Sequence, residues 1–545
     1  MPGSSAVITD APGVEVTATG RRRRTTPALL VGCVVLAAVS LRLPAIVGYD
    51  PWVWLIWGRE LTRGTLSSDG TIAWKPLPVL VTALLAPFGE AAPQLWLLVS
   101  RAVGLSGLVA VGSVAARLAR GGLDVPKVPA SLASGYASPA SVHTSSAFVP
   151  AARRRALIGA VAGTVAVVAF LLTPDNEARW LRHLLQGNIE PVTAALCVWA
   201  VRRHLDGRPG QAVVLGALAG LTRPETWPFL LLYAAWLLWR APRRGWVLVP
   251  ALSAVPVLWF GGDRLASGDA LGGAATAQVL LETPEERLVL ALDSALAMVP
   301  AAVWVAAAVA VLWGAHRRRV APALLAGAAL AWAVLVVVMA AQFGYAAIGR
   351  FYAPAAALLC VLAGVAVGWL TGSVWASATR SDRTRLSLGS AAARGALPVA
   401  ATAAVLTAVV LAAIALAAAP SVTPRLEWLP AQLAAAAVRA DAEADLVAFV
   451  AAAGGRDGLL ACGPLSLDAT RPAGEVRPRL AWMLDLPMAG VRNSLDNGPG
   501  ITVMRSGTLL DHTLALRPPD LARPLLRSRD WVAYAEYCPV GLPRG

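Results

Sequence analysis

The sequence predicts an α-helical polytopic membrane protein with a small α/β domain at its C-terminal end. Of its 545 residues, 57% are hydrophobic and only 14% are charged, whereas a soluble domain carries roughly 25% charged residues. A water-soluble protein could not bury so much apolar surface, so the excess requires contact with lipid. From about residue 420 the composition becomes ordinary, which predicts that segment 420–545 is a separate domain outside the bilayer.

The charged residues are distributed as in a membrane protein. The net charge is +15, but the basic residues lie in short runs between apolar segments, as in cytoplasmic loops beside an anionic leaflet. These runs are 21–24, 153–155, 202–203, 243–244 and 317–319. No surface that combines basic and aromatic residues lies outside the apolar segments, so we predict no nucleic-acid partner. Placing the runs inside the cell makes residues 1–26 a disordered cytoplasmic N-terminus and makes the C-terminal domain extracytoplasmic.

Hydropathy and this orientation predict about eleven helices across the plasma membrane, between residues 27 and 419. The first, 27–47, is too long for a signal-peptide core and has no clear cleavage site, so we interpret it as a retained helix. The outer loop 48–93 contains an apolar stretch, 76–88, which is shorter than the roughly 20 residues a span requires. We predict that it lies in the membrane interface. The other ten spans are predicted at 94–118, 156–173, 189–201, 211–222, 226–239, 246–260, 298–314, 321–341, 353–371 and 397–419.

The C-terminal segment has the patterns of a small α/β domain. Residues 430–453 have helical spacing, and 458–462, 501–505 and 530–538 are typical of short strands. An extracytoplasmic location permits a disulfide between Cys462 and Cys538, which these strands would bring together. The other cysteines lie in apolar runs and are predicted to be packing residues: Cys33, Cys197 and Cys360.

Polar residues are concentrated at the predicted outer ends of the helices. Asp50 follows the first span, among aromatic residues that include Tyr49 and Trp52 and that can stack on a sugar or anchor the interface. A carboxylate there could act as general base on an acceptor hydroxyl. The alternative is a helix cap, because Asp-Pro commonly begins a helix. The two roles are compatible.

Basic residues in the other outer loops are candidate phosphate ligands. Lys75, in WKPLP, could pair with a phosphate or extend to the interface. Arg223 could pair with a phosphate or with Glu225. Further candidates are Arg182, His183, Glu190, Arg350 and Tyr352. If these loops converge, they form a cationic pocket at the lipid boundary, for which a lipid-linked phosphate is the natural ligand.

Residues 27–370 resemble the GT-C superfamily of membrane glycosyltransferases. KPLPVLVTALLAPFG, followed by a span with Arg101, resembles the protein-mannosyl and aminoarabinose transferase-like branch, as do GALAGLTRPETWPFLLLYA and GRFYAP. The Ala- and Arg-rich sequence and the soluble tail suggest an actinobacterial cell-envelope member, such as an arabinofuranosyl- or mannosyltransferase. Where many members have Asp-Glu at the first motif, Pro51 follows Asp50, and Asp175 or Glu190 could supply the second acid.

The resemblance implies inverting transfer from a polyprenyl-phosphate sugar to an envelope glycan or glycolipid, with Asp50 as catalytic base. The predicted donor-phosphate residues are Lys75, Arg223, Arg350, Arg182 and His183. The predicted sugar- or acceptor-binding residues are Tyr49, Trp52, Trp74, Glu190, Glu225 and Tyr352. A divalent metal is an option rather than a prediction, because one Asp without a clear partner is weak evidence for one.

Two other functions fit parts of the sequence. A transporter or flippase of a lipid-linked saccharide would have polar residues deep within spans and an inverted repeat, neither of which the sequence shows. A non-catalytic scaffold for envelope assembly would use Asp50 only as a helix cap. Motifs of other enzyme classes, such as a P-loop, GxSxG or HExxH, are absent from the sequence.

Overall fold

The structure is a computed structural model in which part of the chain is described. The described residues are 18–43, 47–68, 72–121, 145–173, 180–242, 245–278, 283–346, 348–387, 430–431, 433–468, 476–493 and 499–538. Three predictions lie outside them: the N-terminal segment before residue 18, the span at 397–419, and a second acid at Asp175.

Helices occur at the positions of the described predicted spans, with additional short helices between them. They are α1 (Ala18–Ser40), α2 (Tyr49–Arg63), α3 (Pro76–Leu85), α4 (Ala92–Gly121), α5 (Ser145–Leu171), α6 (Trp180–Gln186), α7 (Glu190–Leu205), α8 (Pro209–Gly220), α9 (Trp227–Arg240), α10 (Gly245–Ser267), α11 (Gly272–Thr276), α12 (Pro284–Ala297), α13 (Ala301–His316), α14 (Val320–Phe343) and α15 (Ala353–Ser387). Short 3₁₀ helices precede α4, α9 and α15 at Ala86–Ala91, Pro224–Thr226 and Gly349–Tyr352. The structure assigns residues 18–26, predicted as part of the disordered N-terminus, to the first helix instead.

The number of spans stays a prediction. Among the described residues, four helical segments are long and apolar enough to cross a membrane, or six if each of two bent helix pairs is one span. The bent pairs are α6 with α7, at 111°, and α12 with α13, at 71°. Helix α3 has ten residues and exposes Leu84 on the side away from α2, which suits an interfacial helix, although its depth in the bilayer also stays a prediction.

Helix α15 occupies the centre of the helical region and packs against α4, α5, α13 and α14. Small residues permit the close approach of these helices. A Cβ added at Gly364 would lie 2.3 Å from the carbonyl oxygen of Ala162 on α5. Likewise, a Cβ at Gly163 would lie 2.9 Å from the carbonyl oxygen of Gly112 on α4. Larger side chains at these positions would push α4, α5 and α15 apart.

Several of the basic residues lie together at one end of this bundle. Arg117, near the end of α4, pairs with Asp206, just after α7, at 3.0 Å. Arg154, near the start of α5, donates a hydrogen bond to the carbonyl of Gly372 on α15. The N-terminal ends of α7 and α15 therefore lie at the opposite end of the bundle. Which end faces the cytoplasm stays a prediction.

The C-terminal residues form a five-stranded mixed sheet. Its strands are β1 (Leu465–Leu467), β2 (Val491–Asn493), β3 (Gly500–Arg505), β4 (Ala522–Arg527) and β5 (Trp531–Glu536), in the spatial order β2-β1-β3-β5-β4. β1 is parallel to β2 and β3, whereas β5 is antiparallel to β3 and β4. The helices of this part are α16 (433–452), α17 (Gly455–Leu459), α18 (Arg477–Met483) and α19 (Leu509–Ala515).

Two of the three predicted strands, 501–505 and 530–538, coincide with β3 and β5. The prediction of a strand at 458–462 is wrong. These residues belong to α17 and the turn after it, and the strand begins only beyond Gly463 and Pro464. A short apolar run between glycines has too few residues for its periodicity to separate helix from strand. A disulfide links Cys462, before β1, to Cys538, after β5, with a Cα–Cα distance of 5.7 Å.

Helix α2 connects the membrane helices to this sheet domain. The guanidinium of Arg59 donates hydrogen bonds to the carbonyls of Trp482 at 3.2 Å and Leu486 at 3.0 Å. It also pairs with Asp485 at 3.0 Å. The first turn of α2 makes a further contact, because Trp52 lies 6.0 Å from the ring of Trp482. The helix that begins with Asp50 is therefore held on one side by the C-terminal domain.

Candidate functional site

Asp50 lies in the first turn of α2 without capping it. The N-cap is Gly48, and no side chain makes a capping hydrogen bond. Gly48 donates its backbone N–H to the carbonyl of Gln186 at 2.9 Å, and a Cβ there would lie 2.7 Å from the Asn188 side chain. Glycine therefore allows the start of α2 to lie against the α6–α7 junction. The Asp50 side chain is free to make contacts outside its own helix.

The first contact of Asp50 is with Lys75, the residue before α3. Lys75 Nζ lies 3.4 Å from Asp50 Oδ2, and both side chains are 14% exposed. The ammonium group also lies 5.2 Å from the centre of the Trp54 ring, one turn along α2. The ion pair and the cation–π contact together hold Lys75 at the end of α2.

Arg223 lies in the break between α8 and α9, where Pro224 favours an extended conformation for the preceding residue. Its guanidinium pairs with Glu225 at 2.6 Å and with Glu190, the first residue of α7, at 3.2 Å. The guanidinium also stacks on Phe351, 3.6 Å from the ring centre. All three charged side chains are less than 10% exposed. Of the two sequence alternatives for Arg223, the structure shows the pairing with Glu225.

Arg350 connects the two groups of charges. Its Nη2 lies 3.7 Å from Asp50 Oδ2, and its Nε lies 3.5 Å from Glu190 Oε1. Six charged side chains from five separate segments are thereby joined, and we call them the ion-pair cluster: Asp50, Lys75, Glu190, Arg223, Glu225 and Arg350. Because Glu190 and Arg350 lie at the starts of α7 and α15, the cluster is at the end of the bundle opposite Arg117 and Arg154.

Two of the remaining predicted polar residues, His183 and Tyr49, lie next to the ion-pair cluster. His183 is close enough to Glu190 to interact electrostatically, and its Nδ1 lies 2.8 Å from the Asn188 amide nitrogen. Arg182 precedes it on α6 and is half-buried. Tyr49 is half-buried beside Asp50.

Three aromatic residues predicted to bind sugar or acceptor are directed elsewhere. Trp52 faces the sheet domain. Trp74 is buried and donates its indole N–H to the carbonyl of Leu258 at 3.1 Å. Tyr352 is fully buried and donates its hydroxyl to the carbonyl of Ala291 at 2.9 Å. The rings that contact the cluster are Trp54 and Phe351. Phe351 is not among the predicted site residues, although it stands between Arg350 and Tyr352.

The ion-pair cluster has as many carboxylates as cations, so its formal charge is zero. In the described part of the chain, Asp50 makes its polar contacts through Oδ2 alone, and Glu190 Oε2 is buried without a hydrogen-bond partner. Each of these two carboxylates therefore has one oxygen that pairs with no cation of the cluster. The described residues contain no group of three or more His, Cys, Asp or Glu side chains placed to hold a metal ion. The chemistry available is proton transfer at a carboxylate beside cations that can stabilise an anion.

Comparisons with known proteins establish the fold. The sequence matches no protein-family model and no curated protein. The structure is similar to the crystal structure of ArnT from Cupriavidus metallidurans bound to undecaprenyl phosphate, with 17% identity, a TM-score of 0.51, and coverage of 95% of this chain and 98% of that one. The apo state of the same protein gives 18% identity, a TM-score of 0.49, and coverage of 94% and 98%. At this identity, the likeness shows that the two proteins share a fold.

Proposed function

We propose that this chain is a membrane glycosyltransferase that moves a sugar from a polyprenyl-phosphate donor to a glycan or glycolipid of the cell envelope, with inversion at the anomeric carbon. The observation that carries the proposal is the position of Asp50, within 4 Å of both Lys75 and Arg350 at one end of the helical bundle. The fold shared with ArnT, which was crystallised with undecaprenyl phosphate, supports a lipid-phosphate donor.

Five of the six groups of the ion-pair cluster have a task in this reaction. Asp50 accepts the proton of the acceptor hydroxyl, whose oxygen attacks the anomeric carbon while the bond to the phosphate oxygen breaks. The leaving polyprenyl phosphate carries negative charge, which Lys75 and Arg350 stabilise. Arg223 and Glu190 hold Arg350 in place, because Glu190 Oε1 lies between the two guanidinium groups.

The zero formal charge of the cluster has a consequence for donor binding. A donor phosphate must compete with Asp50 for Lys75 and Arg350, because both cations already pair with its Oδ2. When the phosphate draws them away, the carboxylate loses the partners that stabilise its charge, and it becomes a better proton acceptor. Donor binding therefore prepares the base for the acceptor.

We place the reaction on the outer face of the membrane. The basic runs support this, because such runs are typical of the cytoplasmic side, and the ion-pair cluster lies at the other end of the bundle. Within the envelope, we favour a mannosyl- or arabinofuranosyltransferase of an actinobacterium, because the sequence resembles such enzymes in its composition and its soluble tail. The tail either binds the acceptor glycan or stabilises the membrane domain.

The proposal is tested with the purified full-length protein in nanodiscs, using labelled polyprenyl-phosphate mannose and polyprenyl-phosphate arabinofuranose as donors and envelope glycans as acceptors. We expect Asp50→Asn to lower the rate of transfer by at least about 100-fold, the effect of losing a general base, while the donor still binds. The matched control is Asp293→Asn, which changes an exposed Asp on α12.

Two results would contradict the proposal. If wild type and Asp50→Asn transfer sugar equally, Asp50 is not the base. If neither transfers sugar but wild type in liposomes moves the lipid-linked sugar across the bilayer, the chain is a flippase. A scaffold would give neither activity.

A further inference from the structure

A polar cavity lies between the membrane helices and the C-terminal domain, apart from the ion-pair cluster. Its volume is about 190 Å³, enough for roughly six water molecules at about 30 Å³ each. Its walls come from the end of α1, the first turn of α2, the start of α4 and the C-terminal domain. The lining residues that matter here are Trp52, Glu90, Gln94, Arg101, Glu443 and Arg479.

The wall formed by the C-terminal domain has fixed geometry. Arg479 pairs with Glu443 at 2.8 Å, and its guanidinium stacks on Trp52 with 4.7 Å between the guanidinium carbon and the ring centre. These contacts join α18 and α16 to the first turn of α2. An aromatic ring, a guanidinium and a carboxylate are thus held together on one side of the cavity.

Arg101 forms part of the opposite wall and is 1% exposed. Its guanidinium donates hydrogen bonds to the carbonyl and hydroxyl of Ser40, at 2.9 and 3.0 Å, and to the carbonyl of Leu185. Its Nε makes no hydrogen bond with any described residue. Through their hydrogen bonds, its two terminal nitrogens fix the guanidinium in the wall of the cavity.

The lining predicts the chemistry of the ligand. Two guanidinium groups and two carboxylates cancel in charge, which favours a neutral ligand over an anion or a cation. The lining combines the Trp52 ring with guanidinium donors and carboxylate acceptors, which are the kinds of group that bind the apolar face and the hydroxyl groups of a sugar. The volume fits one sugar ring better than a lipid chain.

We propose that this cavity is a saccharide subsite that binds one neutral sugar ring of the acceptor glycan; this assignment of the ligand to the acceptor rests on the proposed function. Trp52 follows Asp50 by two positions on α2, and successive helical residues are about 100° apart. The two side chains therefore point to nearly opposite sides of α2. The subsite recognises the acceptor at a sugar removed from the reacting hydroxyl, and the glycan passes Tyr49 to reach Asp50.

The binding test uses a substitution, Gln94→Trp, that fills the cavity and removes no interaction of the ion-pair cluster. Gln94 is exposed at the cavity rim and makes no hydrogen bond with the described residues, so Gln94→Trp occupies space with little effect on folding. Gln211→Trp makes the same change on an exposed glutamine of α8. Gln94→Leu removes the amide without filling the cavity, and we expect it to weaken binding about threefold, the effect of one hydrogen bond.

Binding is measured by saturation-transfer NMR with methyl α-D-mannopyranoside and methyl α-D-arabinofuranoside, and separately with inorganic phosphate. We expect at least one glycoside to bind wild type, Asp50→Asn and Gln211→Trp, and binding to be lost in Gln94→Trp. The subsite assignment is overturned if neither glycoside binds wild type or if binding persists in Gln94→Trp. It is also overturned if phosphate alone binds and Gln94→Trp abolishes that binding, because the ligand is then an anion.

Kinetics separate this inference from the proposed function. In the transfer assay, Gln94→Trp should raise the KM for the acceptor about tenfold, because one or two contacts to the sugar are lost. The kcat and the KM for the donor should stay unchanged. A fall in kcat at an unchanged acceptor KM would overturn the assignment to the acceptor. If no variant transfers sugar but glycoside binding is lost in Gln94→Trp, the proposed function fails and the saccharide site stands.

Discussion

Replacing Arg223 by Met tests how the ion-pair cluster holds the helical bundle together. Arg223 is 6% exposed, and it contacts Glu225 at 2.6 Å and Glu190 at 3.2 Å. Methionine fills similar space without charge or hydrogen bonds. In the variant, Glu190 keeps Arg350 at 3.5 Å, whereas Glu225 has no other cation in contact among the described residues. The change therefore leaves one buried carboxylate without a partner.

The magnitude follows from that unpaired charge. Breaking a buried ion pair by removing one partner costs about 3–5 kcal/mol, because the remaining charge stays buried without compensation. The double variant Arg223→Met/Glu225→Gln replaces the carboxylate by a neutral amide. We expect its loss to be no more than about 2 kcal/mol, the cost of unmade hydrogen bonds. The second substitution should therefore restore at least about 1 kcal/mol, which signals coupling between the two residues.

The measurement is the free energy of unfolding of the detergent-solubilised protein, from denaturant titration. Arg208→Met is the matched control, since Arg208 is exposed at the start of α8, and its effect should be within about 0.5 kcal/mol of zero. If Arg223→Met is as stable as Arg208→Met, Arg223 does not compensate a buried charge. If the double variant is no more stable than Arg223→Met alone, the loss does not come from Glu225.

Three further changes test other parts of the structure by the same titration or by hydrogen exchange. Burial raises the pKa of Glu60 to about 7, above the value of about 4.3 in the unfolded chain. The free energy of unfolding of wild type should therefore fall by on the order of 3 kcal/mol as the pH rises from about 4.3 to about 7, and Glu60→Gln should abolish this pH dependence. If the free energy of unfolding varies equally with pH in both proteins, the prediction is wrong. Replacing Cys462 and Cys538 by Ser should lower the stability of the sheet domain by about 4 kcal/mol, because the bond closes a loop of 76 residues, and an unchanged stability would refute this. Arg59→Gln removes two hydrogen bonds to backbone carbonyls, so the amides of 482–486 should exchange about 30-fold faster, equivalent to about 2 kcal/mol; unchanged rates would show that Arg59 does not hold this loop.

The long apolar helices could be predicted from the sequence, but three of the five strands, β1, β2 and β4, could not. The strand prediction nearest to β1 lies at 458–462, whereas β1 is Leu465–Leu467. Apolar runs of bilayer length are a strong signal, and the described helices lie where those runs predict them. β2 has only three residues, Val491–Asn493, too few for a pattern. β4 contains Pro524, which argues against a strand by composition. The structure places β4 at the edge of the sheet, where a missing N–H donor is tolerated.

The charged part of the candidate site was easier to predict than its aromatic part. The charged residues of the site each stand in a break between apolar segments: Asp50, Lys75, Arg223 and Arg350. Breaks on the same side of a helical bundle lie near one another. Hydropathy does not reveal which way a ring at such a break points. The sequence therefore predicts Trp52 and Tyr352 beside the charged residues, whereas Trp52 faces the C-terminal domain and Tyr352 contacts Ala291. Only the packing of α2 against the C-terminal domain and of Tyr352 against α12 decides those directions.

The bridging position of Arg350 also constrains the order in which the molecule is assembled. Helices enter the membrane in chain order, and Arg350 follows Asp50 by 300 residues. Without Arg350, the cluster has three carboxylates but only two cations, Lys75 and Arg223. When the chain is inserted only as far as α14, the formal charge of the cluster is therefore −1. Arg350, in the 3₁₀ helix just before α15, supplies the third cation. It links Asp50, near the start of the chain, to Glu190. The ion-pair cluster is therefore complete only when the segment around Arg350 has joined the earlier helices.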